Sequence, residues 1–269
     1  LIANSAADNY LSELLLTSFV WNSLFSQHNM KIALFGYGKM GKEIEKIALE
    51  RGHSITGKIN RSNPKENLDL NSVDVVIEFS APELALEHIQ FCLNNNLPVI
   101  IGTTGNWYNH LDDLKKICLE RKGAMLHATN FSLGVNLFFA VNKYLANLMN
   151  AYPDYSASIT EIHHTQKLDS PSGTGISIAE QIISNHTAYT KWENVTKENI
   201  KDSTALSIES LRLPDVPGTH EVKYESSIDT IEIKHTAHNR KGFALGSVIA
   251  AEWLIKNKGV FTMNDVLNL

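Results

Sequence analysis

The densest chemistry in the chain lies at EIHHTQKLDSPSGTG, residues 161–175. His163, His164 and Lys167 stand beside a Pro171-Ser172-Gly173-Thr174 turn that runs into an amphipathic helix. His163 and His164 are neighbours, so on a strand they point to opposite faces, which argues against a shared metal. There is no His-x-x-x-His and no cysteine cluster, and no metal site is expected. Lys167 follows closely, beyond or at the end of the strand. A lysine beside a potentially cationic histidine is easier to deprotonate, and the histidine likewise. Each becomes a better proton donor near neutral pH, and the pair supplies positive charge for a carboxylate. The N–H groups of Gly173 and Thr174, at the helix start, can hold an anion. A basic cluster and a helix N-terminus together suit a substrate with two carboxylates. Taken singly, Thr174 reads as an N-cap and His163 as a sheet histidine; the whole cluster favours a site.

A second chemical signal is GYGKMG: Gly36, Tyr37, Gly38, Lys39, Met40 and Gly41. G-x-G-x-x-G placed directly after a strand and directly before a helix marks a dinucleotide loop. The first glycine permits the tight turn, the second a close approach to pyrophosphate, the third close helix–sheet packing. The second strand ends Lys58-Ile59-Asn60-Arg61, where an acid binding the ribose of NAD is expected. Asn60 can hydrogen-bond a hydroxyl without repelling a phosphate. Arg61, with Lys58 as a further candidate, can pair with a 2′-phosphate, and NADPH is favoured over NADH. Gly102, Thr103 and Thr104 follow another strand on the same sheet edge, as do Thr129, Asn130, Phe131 and Ser132. That edge is where open parallel sheets bind ligands.

Other catalytic patterns fail. PSGTG is not a G-x-S-x-G elbow, and no G-K-[ST] phosphate loop occurs. Arg240 precedes the last helix, where it either reaches a substrate carboxylate or caps the fold.

These residues need elements to hold them. From Met30 the chain alternates: strands at 31–36, 53–59, 74–80, 98–104 and 124–129, and helices at 40–52, 82–96 and 109–122. Such alternation implies a parallel sheet with right-handed crossovers. After about residue 130 the rhythm changes. A long helix (132–150) precedes a strand (155–164), the helix ISIAEQIIS (176–184), strands within 204–213 and 221–237, and a last helix (241–257). Strand following strand suggests an antiparallel or mixed sheet. The fold class expected is therefore α/β, a Rossmann-type parallel-sheet domain plus a smaller α+β domain with a mixed sheet.

The net charge of −5 gives no reason to expect nucleic acid as a partner. No apolar run is long enough to span a membrane. Cys92 and Cys118 read as buried thiols of a reducing compartment. Residues 1–29 have an apolar centre but no Lys or Arg, which suits neither a secretory signal nor a mitochondrial presequence. They read as an upstream extension ahead of a natural start at Met30, with a short docking helix as the rival.

With these motifs in hand, the chain resembles the dihydrodipicolinate (4-hydroxy-tetrahydrodipicolinate) reductases of bacterial lysine biosynthesis. EIHHTQKLDSPSGTG carries the likeness, with VIIGTTG, ATNFSLGVN, GTHEV and FTMNDVLNL, from Met30 to Leu269. The resemblance implies that His163 and Lys167 are the catalytic proton-transfer pair and that His164, Gly173 and Thr174 hold the substrate's carboxylates. It implies that Gly36 through Gly41, Gly102 through Thr104, and Thr129 through Ser132 contact NADPH or NADH. It further implies a cytoplasmic homotetramer assembled through the second domain. The final helix would pack back on the first domain, so 30–130 and 238–269 would form the dinucleotide-binding domain. Residues 131–237 would then form the substrate-binding and oligomerisation domain. Two departures stand out: a glycine loop one residue shorter than the family's G-x-x-G-x-x-G, and Asn60 where many members carry an acid. The competing readings are another two-domain amino-acid or semialdehyde dehydrogenase, which gives no reason for HHTQK beside PSGTG, and a non-catalytic nucleotide sensor, which has no need of a paired acid cluster.

Overall fold

The computed structural model describes residues 29–195 and 202–269. The reading of the amino-terminal leader falls on residues outside these, Asn29 excepted. In chain order the strands are β1 (Lys31–Phe35), β2 (Ser54–Ile59), β3 (Val75–Glu78), β4 (Val99–Ile101), β5 (Ala124–His127), β6 (Ser156–His163), β7 (Lys191–Val195), β8 (Ala205–Arg212), β9 (Gly218–Glu225), β10 (Thr230–Ala237) and β11 (Gly259–Phe261). The helices are α1 (Lys39–Glu50), α2 (Pro82–Asn94), α3 (Leu111–Glu120), α4 (Leu133–Met149), α5 (Gly173–Asn185), α6 (Lys241–Leu254) and α7 (Met263–Leu267).

The first sheet is wholly parallel, in the order β11-β5-β4-β3-β1-β2. Helices cover both faces, which is why β3 and β4 are buried along their length and read as unbroken apolar runs. Successive side chains of β1 feed opposite cores. Ile32 and Leu34 pack with Ile44, Ile77 and Leu126. Ala33 and Phe35 pack with Ile89, Val99 and Met125. The late helix α6 returns to the first of these faces, where Val248, Ala251 and Leu254 complete the core. Helix boundaries follow local chemistry. Pro82 opens α2, and beyond α1 the chain turns at Gly52, whose φ of +84° a side chain would resist.

The second sheet is mixed, in the order β10-β9-β6-β8-β7, with β6 parallel to β8 and antiparallel to β9. One face is covered by α4 and α5, whose Phe138, Met149, Ile178 and Ile182 meet Ile159, Ile208, Val222 and Tyr224. Two strands escape the sequence pattern. β7 is KWENV, with exposed or half-buried side chains along its length, and β11 is too short to show a period. α5 also begins earlier than its apolar pattern, at Gly173. Ser172 is the reason: its side chain accepts the N–H of Gly175 at 3.0 Å, so Ser172, not Thr174, is the N-cap.

Candidate active site

In the first sheet the strand order reverses between β1 and β3, so the crevice beyond their carboxyl ends is the topological switch point. The glycine loop lies there. Gly36 has φ +97° and its N–H donates to Ile59 O at 3.0 Å; a Cβ at this position would fall into the Phe79 carbonyl. Gly41 is buried against the Gly36 carbonyl, which lets α1 approach β1. Gly38 is the N-cap of α1, exposed like Lys39, and no side chain caps the N–H groups of the first turn. Such a cradle fits a pyrophosphate.

The rest of the edge is more committed. Asn60 Oδ1 accepts from Ser62 N at 2.9 Å, Ser62 Oγ at 2.7 Å and Asn63 N at 3.1 Å. Its carbonyl therefore holds the turn, and only its amide N–H groups remain for a ligand. Lys58 lies 2.6 Å from Glu45 Oε1 and 4.7 Å from the centre of the Tyr37 ring. Arg61 is exposed and forms no ion pair among the described residues. Thr103 Oγ1 donates to Ser80 O at 3.4 Å, and Gly102 N to Glu78 O at 2.9 Å, fixing that loop beside β3. Thr104 and Thr129 are exposed. The Phe131 ring is buried in the core, 5.7 Å from that of Phe79, so it faces the interior. Ser132 caps α4, and Asn130 Oδ1 accepts the Ser132 N–H at 2.9 Å.

The second sheet contributes the titratable groups. Along β6 the core face runs Ala157, Ile159, Glu161, His163, so the apolar alternation ends in a carboxylate and an imidazole, both buried. Register places His220 of β9 opposite Glu161, and Arg212 of β8 opposite His163. The His163 and His220 rings meet edge to face at 5.1 Å. His163 Nδ1 and His220 Nε2 each lie 3.8 Å from Glu161 Oε2. Burial is the chief cause pushing His163 below the ordinary histidine range; Glu161 opposes it, and Lys167 and Arg212 reinforce it. Burial likewise pushes His220 down to about 4. Glu161 stays below the usual carboxylate range despite burial, because Ser172 donates to it from both backbone and side chain.

His164 is half-buried, and its Nδ1 is buried without a partner among the described residues. Lys167 Nζ donates to Asp169 Oδ2 at 2.8 Å. Gly173 is exposed and Thr174 half-buried in the first turn of α5. Asn130 Nδ2 donates to Thr174 Oγ1 at 3.5 Å, so the segment after β5 of the first sheet touches the first turn of α5. Arg240 stands just before α6, exposed.

Glu161, Arg212 and His220 are absent from the sequence-based site. Glu161, His163 and His220 bring donor atoms within 4.8 Å of one another, a spacing that a divalent cation could use. Here the carboxylate is already engaged by Ser172 and faces the Arg212 guanidinium at 3.5 Å, while His163 Nδ1 is left without a hydrogen-bond partner among the described residues.

A glycine cradle at the switch point of a parallel sheet, abutting a mixed sheet with a buried imidazole and an anion turn, defines a nicotinamide-nucleotide-dependent oxidoreductase. Family models described as the N-terminus and the C-terminus of dihydrodipicolinate reductase match residues 30–131 and 134–267, and the chain belongs to that family. It is 48% identical, over 89% of its length and 98% of the relative's, to a 4-hydroxy-tetrahydrodipicolinate reductase of Christiangramia forsetii. Its fold matches a dipicolinate-bound dihydrodipicolinate reductase of Paenisporosarcina sp. TG-14, with TM-score 0.72 at 24% identity over 88% of this chain and 98% of that one. A Clostridium difficile dehydrogenase shares the fold more distantly, with TM-score 0.51 at 11% identity over 86% and 92% of the two chains.

Proposed function

We propose that this chain reduces 4-hydroxy-tetrahydrodipicolinate, by way of dihydrodipicolinate, to tetrahydrodipicolinate in lysine and diaminopimelate biosynthesis. The reading rests above all on the meeting of two edges: Asn130, beside the nucleotide crevice, bonds Thr174 in the anion turn. A hydride donor and a dicarboxylate bound at those edges would be neighbours.

Gly36 through Gly41 and the α1 N-terminus would hold the pyrophosphate. Gly102 through Thr104 and Thr129 through Ser132 would line the nicotinamide end, Phe131 by its backbone. When bound, the reduced nicotinamide supplies the hydride. Gly173 and Thr174 N–H groups, with His164, receive the carboxylates. A dianion there raises the proton affinity of His163 and draws Lys167 from Asp169. The pair then delivers the proton and offsets charge building on the ring. Arg61, exposed and free of ion pairs among the described residues, supports NADPH over NADH. The domain division follows the sheets, with 30–130 and 238–269 holding the coenzyme and 131–237 holding the substrate. The second sheet's uncovered face, lined by Ser158, Thr160, Ser207 and Lys223, suits homotetramer assembly. No helix is long and apolar enough to cross a membrane among the described residues. A cytoplasmic location is part of this reading, as is the lack of a nucleic-acid or membrane partner.

The test is a coupled assay. Pyruvate and aspartate semialdehyde are condensed by the preceding enzyme, and loss of NADPH or NADH is followed in parallel. Turnover should depend on the condensation product. His163→Ala and Lys167→Ala should each lower kcat by about 10²- to 10⁴-fold with coenzyme binding intact. Near-normal turnover in both variants overturns the assignment.

A further inference from the structure

Glu161 is fully buried, in a phase of β6 that otherwise carries apolar side chains. A carboxylate in such a place is costly unless its oxygens are satisfied. Ser172 N donates to Oε1 at 2.9 Å and to Oε2 at 3.1 Å, and Ser172 Oγ donates to Oε2. Ser172 is the N-cap of α5, so the carboxylate grips the residue that presents Gly173 and Thr174. On its other side stands Arg212, 3.5 Å from Oε1. That guanidinium reaches into the catalytic loop, donating to Asp169 O at 2.6 Å and to Lys167 O at 3.4 Å. Two imidazoles complete its surroundings, the unpartnered Nδ1 of His163 and Nε2 of His220, each at 3.8 Å.

One buried carboxylate thus touches three parts of the proposed site. It meets the anion turn directly, the Lys167 backbone through one guanidinium, and the imidazole across a short gap. We propose that Glu161 is a positioning residue for the reaction, holding the loop 164–172 through Ser172 and Arg212 and orienting His163. It acts through these groups and touches no substrate. The inference rests on the roles given above to His163 and Lys167.

His163 is faced by Glu161 from its own strand, Arg212 from β8 and His220 from β9, and by Lys167 and Asp169 from the loop. His235 of β10 pairs with His220 in the next register. Glu161 and Asp169 are the negative charges in this group, and Glu161 opposes the fall in His163 proton affinity most strongly. Removing its charge makes the imidazolium less favourable, so an activity limb governed by loss of that proton moves toward acid.

The experiment measures pH profiles of kcat and kcat/KM for the full chain, Glu161→Gln, Arg212→Lys and His163→Ala. Coenzyme binding is followed by fluorescence, and folded fraction by circular dichroism. Glu161→Gln keeps the shape and a hydrogen-bond acceptor but not the charge. It should lose about 10- to 100-fold in kcat/KM for the dicarboxylate. Coenzyme affinity should hold and the alkaline limb should move toward acid. Arg212→Lys keeps the charge but has no fork to span two carbonyls. It should raise KM for the dicarboxylate with the limb in place, and it carries the test if Glu161→Gln does not fold. Unchanged kcat/KM and limb in Glu161→Gln overturn the proposal. So does an activity loss that tracks the folded fraction while the limb stays put, which is what a merely structural carboxylate would give. Near-normal His163→Ala shows instead that the underlying reading has failed, and the inference falls with it.

Discussion

Lowering the pH should weaken this fold through its buried histidines before its paired carboxylates begin to titrate, and His220 gives the clearest case. In the folded protein its pKa is pulled from 6.5 to about 4, by burial first and by His163 second, with Glu161 opposing. The unfolded chain takes up a proton near 6.5 and the folded chain only near 4. Between those limits the unfolded state binds more protons. Stability is therefore full above 6.5, falls as the pH drops below it, and reaches its floor near 4. A gap of about 2.5 pH units, at about 1.4 kcal/mol each, corresponds to about 3.5 kcal/mol. That is a large part of a typical net stability of about 5–15 kcal/mol.

Urea unfolding of the full chain and of His220→Asn at about pH 7 and about pH 5 reads this out. At about pH 5 the His220 share of the loss should be about 2 kcal/mol. The variant should start less stable at neutral pH, having lost packing and the 3.3 Å contact of His220 Nε2 with Ser172 Oγ. Its stability should then fall less steeply, so that the two curves converge on acidification. Glu161, Asp169 and Glu252 are all held below the carboxylate range, so their contributions are lost only at lower pH and leave the window clear. Parallel curves for the two proteins would refute the reasoning.

Two further tests concern the nucleotide crevice. Gly36→Ala puts a Cβ into the Phe79 carbonyl at a φ of +97°, and should weaken coenzyme binding at least tenfold, by about 1.4 kcal/mol or more, in a fluorescence titration. Arg61→Ala should lower kcat/KM with NADPH by about tenfold and leave NADH nearly unchanged; equal losses with both coenzymes would remove Arg61 from 2′-phosphate recognition.

The parallel sheet was legible because strands covered on both faces must be apolar throughout, and KIALF, VVIE and VII carry that mark between helical stretches. β7 was not, because KWENV buries no face completely and so shows no strong alternation. The loop from His163 to Thr174 was legible for a different reason. Its residues are close in sequence, so spacing alone brings imidazole, amine and helix start together. Glu161, Arg212 and His220 come from three strands, and what joins them is register: Glu161 opposite His220, His163 opposite Arg212. That pairing depends on a sheet order with β6 between β8 and β9, which local pattern does not encode.

A partial signal was nonetheless present. Glu161 falls in phase with Ala157 and Ile159, Arg212 with Leu206 and Ile208, and His220 with Val222 and Tyr224. A charged or titratable side chain in the apolar phase of a strand must find polar partners, and the same face of a neighbouring strand is the nearest place to look. Three such residues in one domain therefore point to one another before any pairing is known. All three lie at the strand ends nearest the anion turn, the end of the sheet where the core face stops being apolar. The polar network thus continues the packing pattern that builds the core, and the same alternation that aligns Ile159 with Val222 aligns Glu161 with His220.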